Sequence, residues 1–178
     1  MKGLGKSRDG SSLYGLACRA QYSLASERSM KPDDIHLRPA TEADRAFLWR
    51  LHLTTLKQYI EATWKWDEAS QRDFFNQNFG VEGLQIILHE NESIGMIRID
   101  PREDCVYLGA IQITPAYQNR GLGASLIQRL IEDAGREDLP VELDVLKTNK
   151  PAQRLYDRLG FSIHDETRTR YIMRTPEP

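Results

Sequence analysis

The chain has 178 residues, 40% of them hydrophobic and 28% charged, with a formal net charge of -2, which fits one full-sized soluble domain with a real core. That charge gives no global attraction to nucleic acid or to an anionic membrane, and no apolar run nears the roughly 18 residues of a spanning helix. Cys18 and Cys105 are too few for a disulfide framework, and neither they nor His36, His52, His89 and His164 show metal-ligand spacing. No metal is expected, and a reducing, cytoplasmic setting is the default.

Residues 1–30 differ in composition from the rest of the chain: serine, glycine and Lys2, Lys6, Arg8, Arg19 and Arg28 stand against only Asp9 and Glu27. They hold no apolar h-region, so they do not read as a secretory signal; an Arg- and Ser-rich, acid-poor composition is also that of organellar transit peptides. Met30 directly precedes the first patterned segment. Residues 1–30 are therefore expected to be a flexible leader or a non-native extension, and 31–178 a single domain.

Residues 35–38 read as a short strand. Thr41 and Asp44 then form a capping box for a helix with Phe47, Leu48, Leu51, Thr55 and Leu56 on one face. A second helix over 67–79 presents Phe74, Phe75, Asn78 and Phe79. Strands at 84–89 and 94–99, joined by the polar turn 90–93, and a third at 105–113 make an antiparallel meander. The helix at 121–134 carries the stripe Leu122, Leu126, Ile127, Leu130, Ile131 and Ala134, with Gly135 as its stop. With the strand at 141–146 after it, the order strand, helix, strand calls for a right-handed crossover and a parallel pair. A short helix, opened by Asn149 and Pro151 and closed by Gly160, precedes two strands at 161–164 and 169–174. The fold expected is α/β: a mixed, mostly antiparallel sheet flanked by helices.

Two segments carry chemistry. Gln118-Asn119-Arg120-Gly121-Leu122-Gly123-Ala124 lies between a strand and a helix. Its glycines let the backbone turn tightly and expose several N–H groups at a helix N-terminus, an arrangement suited to a pyrophosphate. The same glycines also make an ordinary turn with no ligand. A Walker loop is excluded because Ala124-Ser125 follows Gly123. A dinucleotide fingerprint is disfavoured because Leu126 stands at its third glycine.

The second segment is Asn149-Lys-Pro-Ala152-Gln-Arg-Leu155-Tyr156-Asp-Arg-Leu159-Gly160-Phe161. Gln-x-x-Gly-x-Gly, followed about thirty residues later by Asn-x-x-Ala-x-x-Leu-Tyr-x-x-Leu-Gly-Phe, resembles the GNAT superfamily of N-acetyltransferases. The order of elements over 35–174 is similar too. The resemblance implies that the parallel strand pair splays to admit acetyl-CoA. Ile111, Gln112 and Ile113 would then pair with its pantetheine arm. The N–H groups of Gln118, Asn119, Arg120, Gly121, Leu122, Gly123 and Ala124 would hold its pyrophosphate, and Asn149 would touch the coenzyme.

By the same resemblance Tyr156 protonates the departing thiolate, a step for which a phenol (pKa ~10) and a thiol (pKa ~8.5) are reasonably matched. A core tyrosine on the helix face of Ala152 and Leu155 is the alternative. Asp144 sits where some relatives that acetylate protein N-termini have a glutamate; it is either a proton acceptor working through water or a structural carboxylate. Residues 59–66, with Glu61, Trp64 and Trp66, lie between the first two helices, where relatives border the acceptor pocket; core packing for the tryptophans and exposure for Glu61 is the alternative. The acceptor implied is a primary amine, on a small molecule or on a peptide or protein. Oligomeric state stays open, a homodimer included. A non-catalytic acyl-CoA-binding or sensor domain is the alternative function; an NAD-type oxidoreductase is disfavoured by Leu126.

Overall fold

In the computed structural model, which describes residues 35–178, the sheet has seven strands: β1 (Ile35–Pro39), β2 (Leu84–His89), β3 (Glu92–Pro101), β4 (Val106–Ile113), β5 (Val141–Leu146), β6 (Ser162–Glu166) and β7 (Arg170–Arg174). Four helices flank it: α1 (Arg45–Trp64), α2 (Glu68–Asn78), α3 (Leu122–Gly135) and α4 (Lys150–Arg158). The expected leader, with Met30 and Cys18 in it, lies outside the described residues. Strand order is β1-β2-β3-β4-β5-β7-β6, and β4–β5 is the parallel pair among antiparallel ones. This is the mixed α/β sheet expected.

Strand alternation sorts the two faces. On one, Ile97, Ile99, Val106, Leu108, Val141, Leu143 and Met173 are buried beneath Ile127, Leu130 and Ala134 of α3 and Tyr156 of α4. Leu122 and Leu126 of the same helix stripe bury against Ile35, Ile87 and Ile94. On the opposite face Leu84 and Ile86 pack with Leu48 of α1 and with Phe75 and Phe79 at α2. Phe74 of α2 does not join them: it is 60% exposed, because it lies a single residue, about 100° of helix rotation, from Phe75.

The capping box opens α1 through a turn of 3-10 helix (Glu42–Asp44). Thr41 donates from its N–H (2.8 Å) and its hydroxyl (3.1 Å) to Asp44 Oδ2. Arg38 grips both carboxylate oxygens at 2.8 and 2.6 Å. Asp44 is therefore buried yet fully paired, and Arg38 foremost holds its carboxyl well below the usual carboxylate range.

Three boundaries differ from the sequence reading. The segment Tyr59 to Trp64 is the end of α1 and not a linker, since it contains no glycine or proline to stop a helix; α1 ends at Lys65, whose φ is 70°. The hairpin turn shrinks to Glu90 and Asn91, with φ of 47° and 69°, a mirror-image turn whose twist suits the flanking strands. Cys105 precedes β4; it is buried, and burial pushes its thiol pKa up.

The feature that shapes the site is a bulge. Arg98 pairs with Ala110 but Ile99 pairs with Leu108, so Gly109 has no partner in β3. A bulge bends its strand, and this one falls where β4 leaves β5. Pairing between those strands covers only Val106–Leu108 against Val141–Leu143. Beyond it, residues 109–113 of β4 and 144–146 of β5 diverge.

Candidate active site

The divergence gives β4 an edge free of ladder partners. Thr114 N–H donates to Ile94 O at 2.8 Å. Counting back by twos, Gln112 turns its backbone groups toward β3, and Ile111 and Ile113 turn theirs into the gap. Of the three residues expected to line a pantetheine arm, two therefore present main-chain groups there. Gln112 is different: its Oε1 accepts a 2.9 Å hydrogen bond from Thr55 of α1. Gln118 folds back so that its Nε2 donates to Ile113 O at 2.7 Å, which takes up one acceptor at the mouth.

At that mouth the chain turns through Asn119 (φ 58°) and Gly121 (φ 81°) into α3. Gly121 is the N-cap, and no side chain caps the helix. The bond from Ser125 N–H to Gly121 O (3.0 Å) is the first of the helix ladder, so the N–H groups of Leu122, Gly123 and Ala124 have no partner within it. They stand at the positive end of a 14-residue helix, behind the exposed residues Gln118 to Gly121. Arg120 adds a guanidinium, 5.1 Å from the Tyr117 ring. The local chemistry fits a phosphate.

Tyr156 reaches the gap from α4. It is 8% exposed, with its ring 5.7 Å from that of Phe161. Burial first, and then the charge of Asp144, push its hydroxyl pKa up to about 12. The phenol thus stays protonated over the neutral range. Asp144, the first β5 residue without a β4 partner, is near enough for its charge to act on that phenol. Tyr107 donates its hydroxyl to one oxygen of Asp144, and Arg170 of β7 pairs with the other. Each oxygen thus holds one donor, and each keeps a further lone pair. Burial and then Asp144 drive the Tyr107 pKa upward as well.

Helix α1 crosses the gap on the side opposite α3. Thr55 ties it to Gln112 on the β4 arm. Thr63 shares a 3.0 Å hydrogen bond with Thr148, which also donates to Tyr59 O at 3.1 Å, just past the β5 arm. Asn149 Oδ1 accepts from Ala152 N–H at 3.2 Å and so caps α4. Glu61 is exposed on the last turn of α1. Trp66 folds against α1 in an aromatic group, 6.2 Å from the His52 ring and with Lys57 Nζ 5.2 Å from its own. His52 Nε2 and Trp66 Nε1 are buried there without partners, and burial lowers the His52 pKa.

Ile111, Ile113, Asp144 and Tyr156 thus converge on the gap, with the Gln118–Ala124 loop at its mouth, while Glu61 is not drawn into a contact. Tyr107 and Arg170 escaped the sequence reading. Each is an ordinary strand residue, and only the register of β4 with β5 and of β5 with β7 puts them beside Asp144.

The acetyltransferase (GNAT) family model matches residues 46–161, and the chain belongs to that family. Among solved structures it is similar to the PaiA N-acetyltransferase from Thermoplasma acidophilum in complex with coenzyme A, at 15% identity and a TM-score of 0.66, covering 79% of this chain and 98% of that one. It is also similar to the ribosomal-protein-S18-alanine N-acetyltransferase from Escherichia coli (20% identity, TM-score 0.56, covering 80% and 94%). A third is Naa50 from Arabidopsis thaliana in complex with the bisubstrate analogue CoA-Ac-MVNAL (17% identity, TM-score 0.55, covering 80% and 98%). At these identities the likeness is one of fold.

Proposed function

We propose that the protein is an N-acetyltransferase that moves an acetyl group from acetyl-CoA to a primary amine by direct attack, with both substrates bound. The observation that carries this reading is the splay itself. An unpaired β4 edge runs from the bulge at Gly109 to an uncapped, glycine-led helix N-terminus, with a buried phenol in the gap. That geometry suits an extended molecule with a pyrophosphate at one end and a reacting centre near the other.

The cosubstrate supplies an activated acetyl thioester. In this reading Ile111 and Ile113 hold its arm by main-chain bonds near the mouth, and the thioester lies toward the bulge at Gly109. The N–H groups from Asn119 to Ala124 hold the pyrophosphate, that of Gln118 being given to Pro115 O at 3.2 Å. Asn149, with its oxygen used as a helix cap, offers Nδ2 to the coenzyme. Tyr156, kept protonated by burial, gives its proton to the departing sulfur. Asp144 acts as a fixed anion, held by Tyr107 and Arg170, rather than as a free base. Glu61 and Trp66 stay candidates for the outer wall of the acceptor site. The names of the S18-alanine N-acetyltransferase and of the Naa50 complex support a peptide or protein amine as acceptor, alongside small amines.

Thermal unfolding with acetyl-CoA, coenzyme A, NAD and ATP in parallel tests the cofactor. A ligand at about 100 times its Kd stabilises the native state by ~2.7 kcal/mol. A rise in Tm with the two coenzyme A species alone, followed by amine-dependent thiol release, is the expected result. Coenzyme binding without thiol release from any amine favours the sensor alternative, and a shift with NAD or ATP alone ends the transferase reading.

A further inference from the structure

Tyr107 and Arg170 hold Asp144, and the same face of the sheet carries a second carboxylate that nothing holds. Asp100 lies on β3, opposite Tyr107 in the β3–β4 register. Its carboxylate is seated between two glycines: Oδ1 is 2.9 Å from where a Cβ on Gly83 would lie, and Oδ2 is 3.0 Å from where one on Gly109 would lie. Gly109 is the bulged residue that follows the last β4–β5 pair. The missing side chain at Gly109 thus lets a carboxylate from the neighbouring strand lean over the apex of the splay.

Nothing among the described residues neutralises that carboxylate: it has no ion pair and no hydrogen bond. Arg98 borders Gly109 with Cγ and Cδ at 3.2 and 3.3 Å from the same hypothetical Cβ, but it sends its guanidinium to Gly80 O. Arg102 lies over the Tyr107 ring at 3.7 Å and within 3.4 Å of Glu142. Asp100 also lines a cavity of about 400 Å³ with Glu82, Gln85 and Arg98. A half-buried carboxylate with no counter-ion suits a ligand that brings N–H donors and positive charge.

We propose that Asp100 binds the acceptor as an ammonium ion at the apex of the splay and takes the proton it sheds, so that the preferred substrates are amines that arrive as cations. This rests on the transferase reading of the site. The ammonium gives one proton to Asp100, which passes it to water. The nitrogen lone pair then forms the C–N bond at the thioester carbonyl as the C–S bond breaks. A second N–H proton leaves to solvent and restores Tyr156, whose own proton goes to sulfur. The sum is ammonium plus thioester to amide, thiol and one proton.

The test is Asp100→Asn in the full chain. Coenzyme A release is measured against pH with spermidine, lysine and a short peptide with a free N-terminus, and coenzyme A stabilisation is measured in parallel. General acid–base groups contribute about 100-fold or more. The expected result is a fall of that size in kcat/KM for the best amine at pH 7, with the coenzyme A shift retained. The deficit should narrow toward the pKa of the amine, near ~10, where the neutral amine neither seeks an anion nor needs a proton acceptor. Gly109→Ala, which keeps the charge but crowds Oδ2, should lower the same ratio with an intact coenzyme A shift. Two results overturn the assignment while leaving the transferase reading in place: Asp100→Asn within about threefold of wild type, or a deficit that is uniform in pH. If the wild-type protein gains nothing from coenzyme A and releases no thiol with any of the amines, the transferase reading falls and this one with it.

Discussion

Replacing Tyr156 by phenylalanine takes one hydroxyl out of the core and tests two arguments at once. The side chain is 8% exposed, and burial followed by the charge of Asp144 raises its pKa from 10.0 to about 12. A phenol that resists ionisation in the fold contributes stability that is whole below its unfolded pKa and is lost as pH rises through the folded one. The window is therefore pH 10 to 12. At about 1.4 kcal/mol per pH unit, the contribution at stake is on the order of 2–3 kcal/mol. Tyr107 is raised too and adds its own alkaline loss to both proteins, so the informative quantity is their difference. Urea denaturation at pH 8, 10 and 12 should show the wild type losing about 2 kcal/mol more than Tyr156→Phe across that range. At pH 8 the variant should release coenzyme A about 100-fold more slowly while keeping the thermal shift with coenzyme A. Parallel alkaline curves would refute the burial argument, and near-normal turnover would remove the proton donor.

Other substitutions probe the frame of the site. In Gly95→Ala the new Cβ would meet Gln112 O at 2.4 Å and Ile113 Cα at 3.1 Å; both are backbone of the strand that lines the gap, and a loss of about 2–3 kcal/mol is expected in denaturant titrations. Asp44→Asn removes the anion gripped by Arg38 and should cost about 2–3 kcal/mol at pH 7. Because the fold depresses the Asp44 pKa, that difference should shrink as pH falls below about 4, where the unfolded carboxylate takes up its proton while the folded one still resists it. Gly121→Ala meets no atom within 4 Å but must hold φ near 81°. It should cost about 1 kcal/mol from backbone strain alone, read as a lower Tm without ligand.

The helices and the order of strands were legible because each rests on local rules. The α3 stripe from Leu122 to Ala134 repeats at helical spacing and is buried as that spacing implies. Asn149 and Pro151 open α4 because each suits one position of a first turn. The glycine loop could be placed for the same reason. Legibility failed where meaning depends on register. Asp100 reads in sequence as one more outward carboxylate after Ile99, and its place over Gly109 follows from a bulge that no local pattern announces. Tyr107 and Arg170 become partners of Asp144 only after three strands are aligned. Residues 59–64 extend α1 rather than lying between the first two helices, because nothing there breaks a helix.

The crossing of α1 over the gap sets a length as well as a boundary. Its two ties, at Thr55 and Thr63, are eight residues apart along the helix, or about 12 Å at 1.5 Å per residue. Strands joined by a ladder sit roughly 4.8 Å apart; the helix spans more than twice that between its tie to the β4 arm and its tie just past the β5 arm, and so fixes how far apart those two points lie. The width of the wedge is thus written into the number of residues between two threonines. A one-turn insertion between them would reset it by about 5.4 Å, which makes this stretch of α1 the place where a change in length, rather than in chemistry, would redraw what the gap can admit.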